Sequence, residues 1–193
     1  TYRLFPYSLS FKKKIMQKVV RIAGDGIGTE ITEAVSTILE QAGAQIEWID
    51  ARAGLGAYEE LGNPLPDKTV ADIRENRLLL KGPLTTPVGT GFRSVNVALR
   101  QHFDLYANIR PARTLPSIDS PFKNVDMVIF RENTQGLYIG KEHWLDEDKK
   151  THAESIAVVT EQASERIIRA AFEYALTHDR QKVSLVHKAN ILK

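Results

Sequence analysis

The chain contains no cysteine. Disulfides, thiolate metal centres and cysteine nucleophiles are therefore excluded, and the composition fits a reducing compartment without proving one. No stretch approaches the ~18 consecutive apolar residues that a membrane-spanning helix needs. Charge of one sign is also lacking: 26 basic and 24 acidic residues leave a net charge of +2. Nothing in that balance demands nucleic acid or a membrane surface, so any role for the basic residues is local. His102, His143, His152, His178 and His187 share no ligand spacing, so no zinc site is assigned. There is no internal repeat and no low-complexity segment.

What is present is an ordinary globular balance, 42% hydrophobic and 26% charged over 193 residues. That length suits one large or two small domains. Both ends are unusual. The first residues, Thr1 to Gln17, are aromatic and basic with no acid. An organellar transit peptide, a translated upstream stretch and an expression remnant are all open readings, and Met16 could be the true start. The chain stops at Lys193 soon after an expected strand, so it is read as a fragment.

Periodicity and turn signals predict alternating elements. Strands are expected over Lys18 to Ala23, Gln45 to Ala51, Leu78 to Lys81, Leu105 to Arg110, Val125 to Phe130, Ser155 to Thr160 and Lys182 to His187. Helices are expected from Thr29, as cap, to Ala42, from Asp67, as cap, to Asn76, from Ser94 to Phe103, and from Glu161 to Thr177. The first helix carries Ile31, Ala34, Val35, Ile38 and Leu39 at helical spacing. Lys141 to Thr151 reads as a charged, exposed excursion. The fold class is α/β with a largely parallel or mixed sheet.

Gly24-Asp25-Gly26-Ile27-Gly28 between a strand and a helix invites a Rossmann reading, with Asp50 as the ribose-binding acid. The spacing fails, because the position that needs the third glycine holds Thr29. The turn is read as a tight strand-to-helix connection with a helix N-terminus beside it, where a dipole could favour an anion.

Arg93, Arg100, Arg110, Arg113 and Arg131 fall near strand ends and on one helix, with Ser94 and Asn96 at that helix's start. Guanidinium grips planar carboxylates through paired hydrogen bonds. Several converging guanidiniums repel one another unless an anion of matching charge joins them, which makes a tricarboxylate a natural ligand. The competing reading is a set of solvated surface arginines. The strand-end positions of Arg110 and Arg131 favour a ligand site.

Four stretches together resemble the β-decarboxylating dehydrogenases of isocitrate, isopropylmalate and homoisocitrate: GDGIGTEI (24–31), LKGPLTTPVGTGFRSVNVALRQHFDLYANIRP (80–111), RENTQGLYIGKEH (131–143) and VHKANILK (186–193). Ser94, Asn96 and the His187-Lys188 pair are closer to the isocitrate members. The resemblance implies a non-Rossmann mixed sheet with flanking helices, incomplete at the C-terminus. It implies an extension over residues 1–17, part of a large domain over 18–104, and part of a small domain over 105–193 with a clasp-like excursion around 137–157. Arg100, Arg110 and Arg131 would hold the substrate carboxylates, and Ser94 and Asn96 would contact the distal one. Thr86 would lie near substrate and nicotinamide, with Lys81 and Asn190 on the cofactor side. Tyr138 would be the acid that protonates the enolate and Lys188 the base. The residues alone allow a packed turn tyrosine and a solvated lysine instead.

The implied cofactors are NAD, with NADP possible, and Mg2+ or Mn2+. The implied substrate is isocitrate. The assembly would be a homodimer or larger homo-oligomer in which tyrosine and lysine serve the neighbouring site. The metal-binding aspartates of the family would lie beyond Lys193, so this chain by itself is expected to turn over little or nothing. The expected location is cytoplasmic, with the mitochondrial matrix as alternative. Two other readings stay open: a dehydrogenase for isopropylmalate or homoisocitrate, and a non-catalytic regulatory subunit that binds a polycarboxylate.

Overall fold

The structure is a computed structural model that describes residues 16–87, 92 and 94–187. It divides into two units between Asn96 and Val97.

The first unit is built on a parallel sheet. Strands β1 (Gln17–Ile22), β2 (Ile46–Asp50) and β3 (Leu79–Lys81) run in the order β2-β1-β3. The central strand β1 carries Val20 and Ile22, whose side chains are the most deeply buried in this unit together with Val95. Burying each contributes on the order of 1.5–3 kcal/mol. Parallel pairing puts the C-terminal ends of all three strands on one edge of the sheet.

Helix α1 (Gly28–Gln41) follows β1. Its N-cap is Ile27, without a side-chain hydrogen bond, so Thr29 is not the cap. Its buried line is Gly28, Thr32 and Ser36, while Ile31 and Ile38 of the apolar stripe are 44% and 66% exposed. The reason is close approach. Small side chains let the helix lie near the chain of β1, and their hydroxyls are used there: Thr32 donates to the Ala23 carbonyl at 3.0 Å, and Ser36 accepts from Arg21 at 3.2 Å. A short helix not expected from the sequence, α2 (Leu55–Leu61), ends at Gly62 in the left-handed conformation. Helix α3 (Asp67–Asn76) is flanked by Pro66 rather than capped by Asp67, which lies inside its first turn.

The second unit contains two antiparallel pairs and a long helix. Helix α4 (Val95–His102) leads into it. Strand β4 (Ala107–Arg113) pairs with β5 (Asp126–Glu132), and β6 (Gly136–Trp144) pairs with β7 (Ala153–Val158) through an irregular register between Gly136 and Lys141. The first four residues of the expected excursion, 141–144, are thus strand, because cross-strand partners on β7 are present to take their backbone groups. Helix α5 (Glu161–Thr177) is capped by Thr160, whose hydroxyl accepts from the Ala163 amide at 3.3 Å. It packs on β5, with the Phe130 and Tyr174 rings 5.3 Å apart.

The strand expected over Lys182 to His187 does not form: residues 181–187 have no regular structure, and Leu185 and Val186 are largely exposed. A strand requires a neighbour for its amides and carbonyls, and none reaches this segment among the described residues.

Candidate functional site

Three side chains singled out in the sequence come together in the second unit. Tyr138 projects from β6, Arg131 from β5 and Arg100 from α4. The Arg131 Nη2 donates to the Tyr138 phenolic oxygen at 2.9 Å. The guanidinium carbons of Arg100 and Arg131 each lie 5.6 Å from the centre of the tyrosine ring. Gln101, next to Arg100 on α4, donates to the Tyr138 carbonyl at 2.9 Å and holds that backbone in place.

Electrostatics follow from this geometry. A guanidinium hydrogen bond stabilises phenolate over phenol. The Arg131 hydrogen bond and charge, with Arg100 adding to them, hold the Tyr138 phenol below the usual tyrosine range against a smaller opposing effect of burial. Because Arg131 donates into the oxygen, the phenol's own proton remains available to a third party.

Arg110 lies on the same face of the β4–β5 pair. Asn108 stands opposite Arg131 and Arg110 opposite Ile129, so Arg110 and Arg131 are diagonal neighbours. Such positions are about 7–8 Å apart in an antiparallel ladder, within reach of one small anion held by long side chains. Arg110 Nε donates to Asn108 at 3.1 Å.

Most of the other described arginines have a carboxylate partner; these three, like Arg77, do not. Arg21, Arg52, Arg166, Arg169 and Arg180 each have a carboxylate partner. Arg113 has one too, Asp126 at 3.5 Å, and so drops out of the expected constellation. Among the described residues, no carboxylate pairs with Arg100, Arg110 or Arg131. Two cations without an internal counter-ion flank the phenol, and a third, Arg110, stands diagonal to Arg131 on the same strand pair; such a set of guanidiniums suits a multiply charged anion.

The first unit presents its own candidates at the C-terminal edge of the parallel sheet. Lys81 ends β3, with its ammonium on the Gly82 carbonyl at 2.7 Å, and Thr86 is exposed in the loop that follows. Ser94 and Asn96 are half-buried at the start of α4. Lys188, Asn190 and Arg93 lie outside the described residues.

The glycine turn has a structural task that sequence reasoning missed. Gly24 adopts φ +91°, and a Cβ there or on Gly82 would run into the facing backbone of Pro83 or Ala23. The two loops are joined by Asp25 N–H to the Pro83 carbonyl and Gly82 N–H to the Ile22 carbonyl, both 2.8 Å. Gly24 and Gly82 thus serve close backbone packing between the two loops. Asp50 is likewise committed, in a two-pronged pair with Arg21 at 2.7 and 3.0 Å that lowers its pKa. Asp25 uses its carboxylate on three backbone amides: Leu55 at 3.1 Å, Gly56 at 3.2 Å and Thr85 at 2.7 Å. An acid inside a glycine turn was the available signal for this role.

Among the described residues, no group of three or more His, Cys, Asp or Glu could hold a metal ion. No helix among them is long and apolar enough to cross a membrane.

The isocitrate/isopropylmalate dehydrogenase family matches residues 18–193. A mitochondrial regulatory subunit of the NAD-dependent isocitrate dehydrogenase from Dictyostelium discoideum is 43% identical over 97% of this chain and 50% of its own length. The NADP-dependent isocitrate dehydrogenase of Haloferax volcanii is 44% identical over 89% of this chain and 48% of its own. The crystal structure of isocitrate dehydrogenase from Methylococcus capsulatus superimposes with a TM-score of 0.87 at 55% identity, covering 91% of this chain and 52% of that one. The chain thus spans about half the length of the relatives it matches.

Proposed function

Since this chain belongs to the isocitrate/isopropylmalate dehydrogenase family, we propose that it supplies the carboxylate-binding arginines and the proton-donating tyrosine of an enzyme that oxidatively decarboxylates isocitrate to 2-oxoglutarate. The observation that carries this reading is the Arg100–Tyr138–Arg131 cluster, whose cations lack an internal counter-ion and whose phenol keeps a transferable proton.

The roles follow from the residue types. Arg100, Arg110 and Arg131 bind the carboxylates, and Ser94 and Asn96 add neutral donors to the distal one. After CO2 leaves the β-keto acid, an enolate must take a proton on carbon, and Tyr138 delivers it. The resulting phenolate is stabilised by the Arg131 hydrogen bond, which strengthens as negative charge develops on the oxygen. Lys188 is assigned as the base for the alcohol proton.

NAD or NADP, when bound, would supply the hydride acceptor. Lys81, Thr86 and Asn190 are assigned to its side of the site, in keeping with ligand binding beyond the carboxyl ends of parallel strands. The divalent ion, Mg2+ or Mn2+, would be held by residues outside those described. The assembly is proposed as a homodimer or larger homo-oligomer, in the cytoplasm or alternatively the mitochondrial matrix.

A second reading has a specific observation behind it, since one of the similar proteins is named a regulatory subunit. Retention of Tyr138 between two arginines favours the catalytic reading. The test is made on the complete enzyme. Isocitrate should be turned over in preference to isopropylmalate and homoisocitrate, and Tyr138→Phe should lower kcat by about 100- to 10,000-fold, the scale of a lost general acid. Turnover unchanged by Tyr138→Phe and Lys188→Met would instead establish the regulatory reading.

A further inference from the structure

Tyr138 and Arg131 belong to different strands, and the turn between them decides whether they meet. That turn, Glu132 to Gln135, is gripped from within and from outside. Inside it, the Glu132 carboxylate accepts from the Thr134 amide at 2.9 Å and the Gln135 amide at 2.8 Å. From outside, α5 holds it at two points. Gln135 exchanges hydrogen bonds with the α5 cap: its amide nitrogen donates to the Thr160 hydroxyl and its amide oxygen accepts from the Thr160 N–H, both 2.9 Å.

The second point is Arg166. Its Nη2 donates to the Thr134 hydroxyl at 3.0 Å and lies 3.8 Å from Glu132. Its Nη1 donates to Asp104 at 2.8 Å, two residues past the end of α4, the helix that carries Arg100 and Gln101. The guanidinium lies 4.6 Å over the Tyr106 ring, and the Tyr106 carbonyl accepts from the Asn133 amide at 2.9 Å. One planar fork thus joins α5, the turn and the segment after α4. Its own Nε is buried without a partner, so the group is oriented by these contacts rather than by solvent.

We propose that Arg166 is a positioning residue for Tyr138: by clamping the β5–β6 turn to α5 and to the end of α4, it sets the phenol against Arg131 and Arg100. It touches none of the residues assigned to the substrate, and this role rests on the reading of Tyr138 as the proton donor. Arg110 and Arg131 are fixed separately by the β4–β5 ladder. Loss of the clamp therefore reaches carboxylate binding only through Arg100 on α4, and affects proton delivery more.

The test uses Arg166→Ala and Arg166→Lys in the complete enzyme. Lysine keeps the charge but cannot span Asp104 and Thr134 together. Both variants should lower kcat by about 100-fold, the effect of misplacing a reacting group by about 1 Å, with isocitrate affinity little changed. The phenolate absorbance of Tyr138, assigned by difference from Tyr138→Phe, should titrate at higher pH than in the wild type, because the phenol moves away from Arg131 and Arg100. Should Arg166→Ala fail to fold, Asp104→Ala, which removes one prong, should move the same readouts in the same direction.

A wild-type phenol titration in a folded variant overturns the proposal. So does a parallel loss of affinity and kcat. Because the titration does not depend on turnover, it separates failure of this role from failure of Tyr138 as the acid.

Discussion

Arg131 donates to the Tyr138 phenolic oxygen at 2.9 Å from the strand that precedes it in the chain, so the residue proposed to bind a carboxylate also tunes the proposed acid. The depressed folded pKa of Tyr138 means that its donating form is lost as pH rises through a value below the ordinary tyrosine one. Arg131→Gln should move the alkaline limb of kcat to higher pH while weakening isocitrate binding. The loss should be about 1.5–3 kcal/mol, typical of a hydrogen bond to a charged group, or roughly 10- to 150-fold in Kd. Calorimetry with isocitrate and a pH–rate profile check the two parts. An unmoved alkaline limb would disprove the tuning.

Arg110 separates binding from stability. Its side chain is exposed and hydrogen-bonds within its own strand to Asn108. Arg110→Ala should therefore change folding stability by less than about 0.5 kcal/mol. It should nonetheless cost about 1.5–3 kcal/mol of isocitrate affinity. Thermal unfolding and calorimetry on the same preparation give both numbers. Equal affinity in the variant would return Arg110 to the class of ordinary surface charges.

Asp25 makes the opposite prediction. Its carboxylate satisfies amides at the start of α2 and in the loop after β3, 30 to 60 residues away in sequence. Asp25→Ala leaves these donors without their partner, one of them half-buried, and should cost about 2 kcal/mol, the upper range for a lost helix cap. Hydrogen–deuterium exchange should rise in the peptides that carry Leu55 and Thr85, and less in Asp25→Asn, which keeps one acceptor oxygen. Unchanged exchange in both peptides would show the clamp to be idle.

These contacts mark the limit of what the sequence could reveal. Helix α5 was readable to the residue, since Thr160 caps it and its apolar positions recur at helical spacing. The parallel strands were readable because β-branched runs sit between turn signals. Helix α2 was not, because its N-terminus is capped by Asp25, which no local pattern connects to Leu55. The stripe of Ile31 and Ile38 misled, because helix–strand proximity selects small residues and puts Thr32 and Ser36 inward. The arginines could be recognised singly. That Arg113 is neutralised by Asp126 while Arg131 stays unpaired depends on which side chains the β4–β5 register places together, and spacing does not report it.

The turn between β6 and β7 offers a pH test outside the arginine cluster. The Asp146 carboxylate accepts from the Thr151 amide at 3.0 Å and the His152 amide at 2.8 Å, and also from the Thr151 hydroxyl. Led by the hydroxyl and the His152 amide, these bonds lower its pKa from 3.8 to about 2. A depressed carboxylate contributes stability that is complete above its unfolded pKa and is lost as pH falls through the folded one. The turn should therefore stay closed above pH 3.8 and loosen as pH approaches about 2. Leu145 N–H, bonded to the His152 carbonyl at 2.8 Å, closes the same turn and should exchange in step with the Thr151 and His152 amides. In Asp146→Asn the three amides should exchange faster at neutral pH, and their protection should no longer change across the acid window. Protection that persists to pH 2 in the wild type, or an equal acid transition in the asparagine variant, would assign the closure to the strand pairing rather than to Asp146.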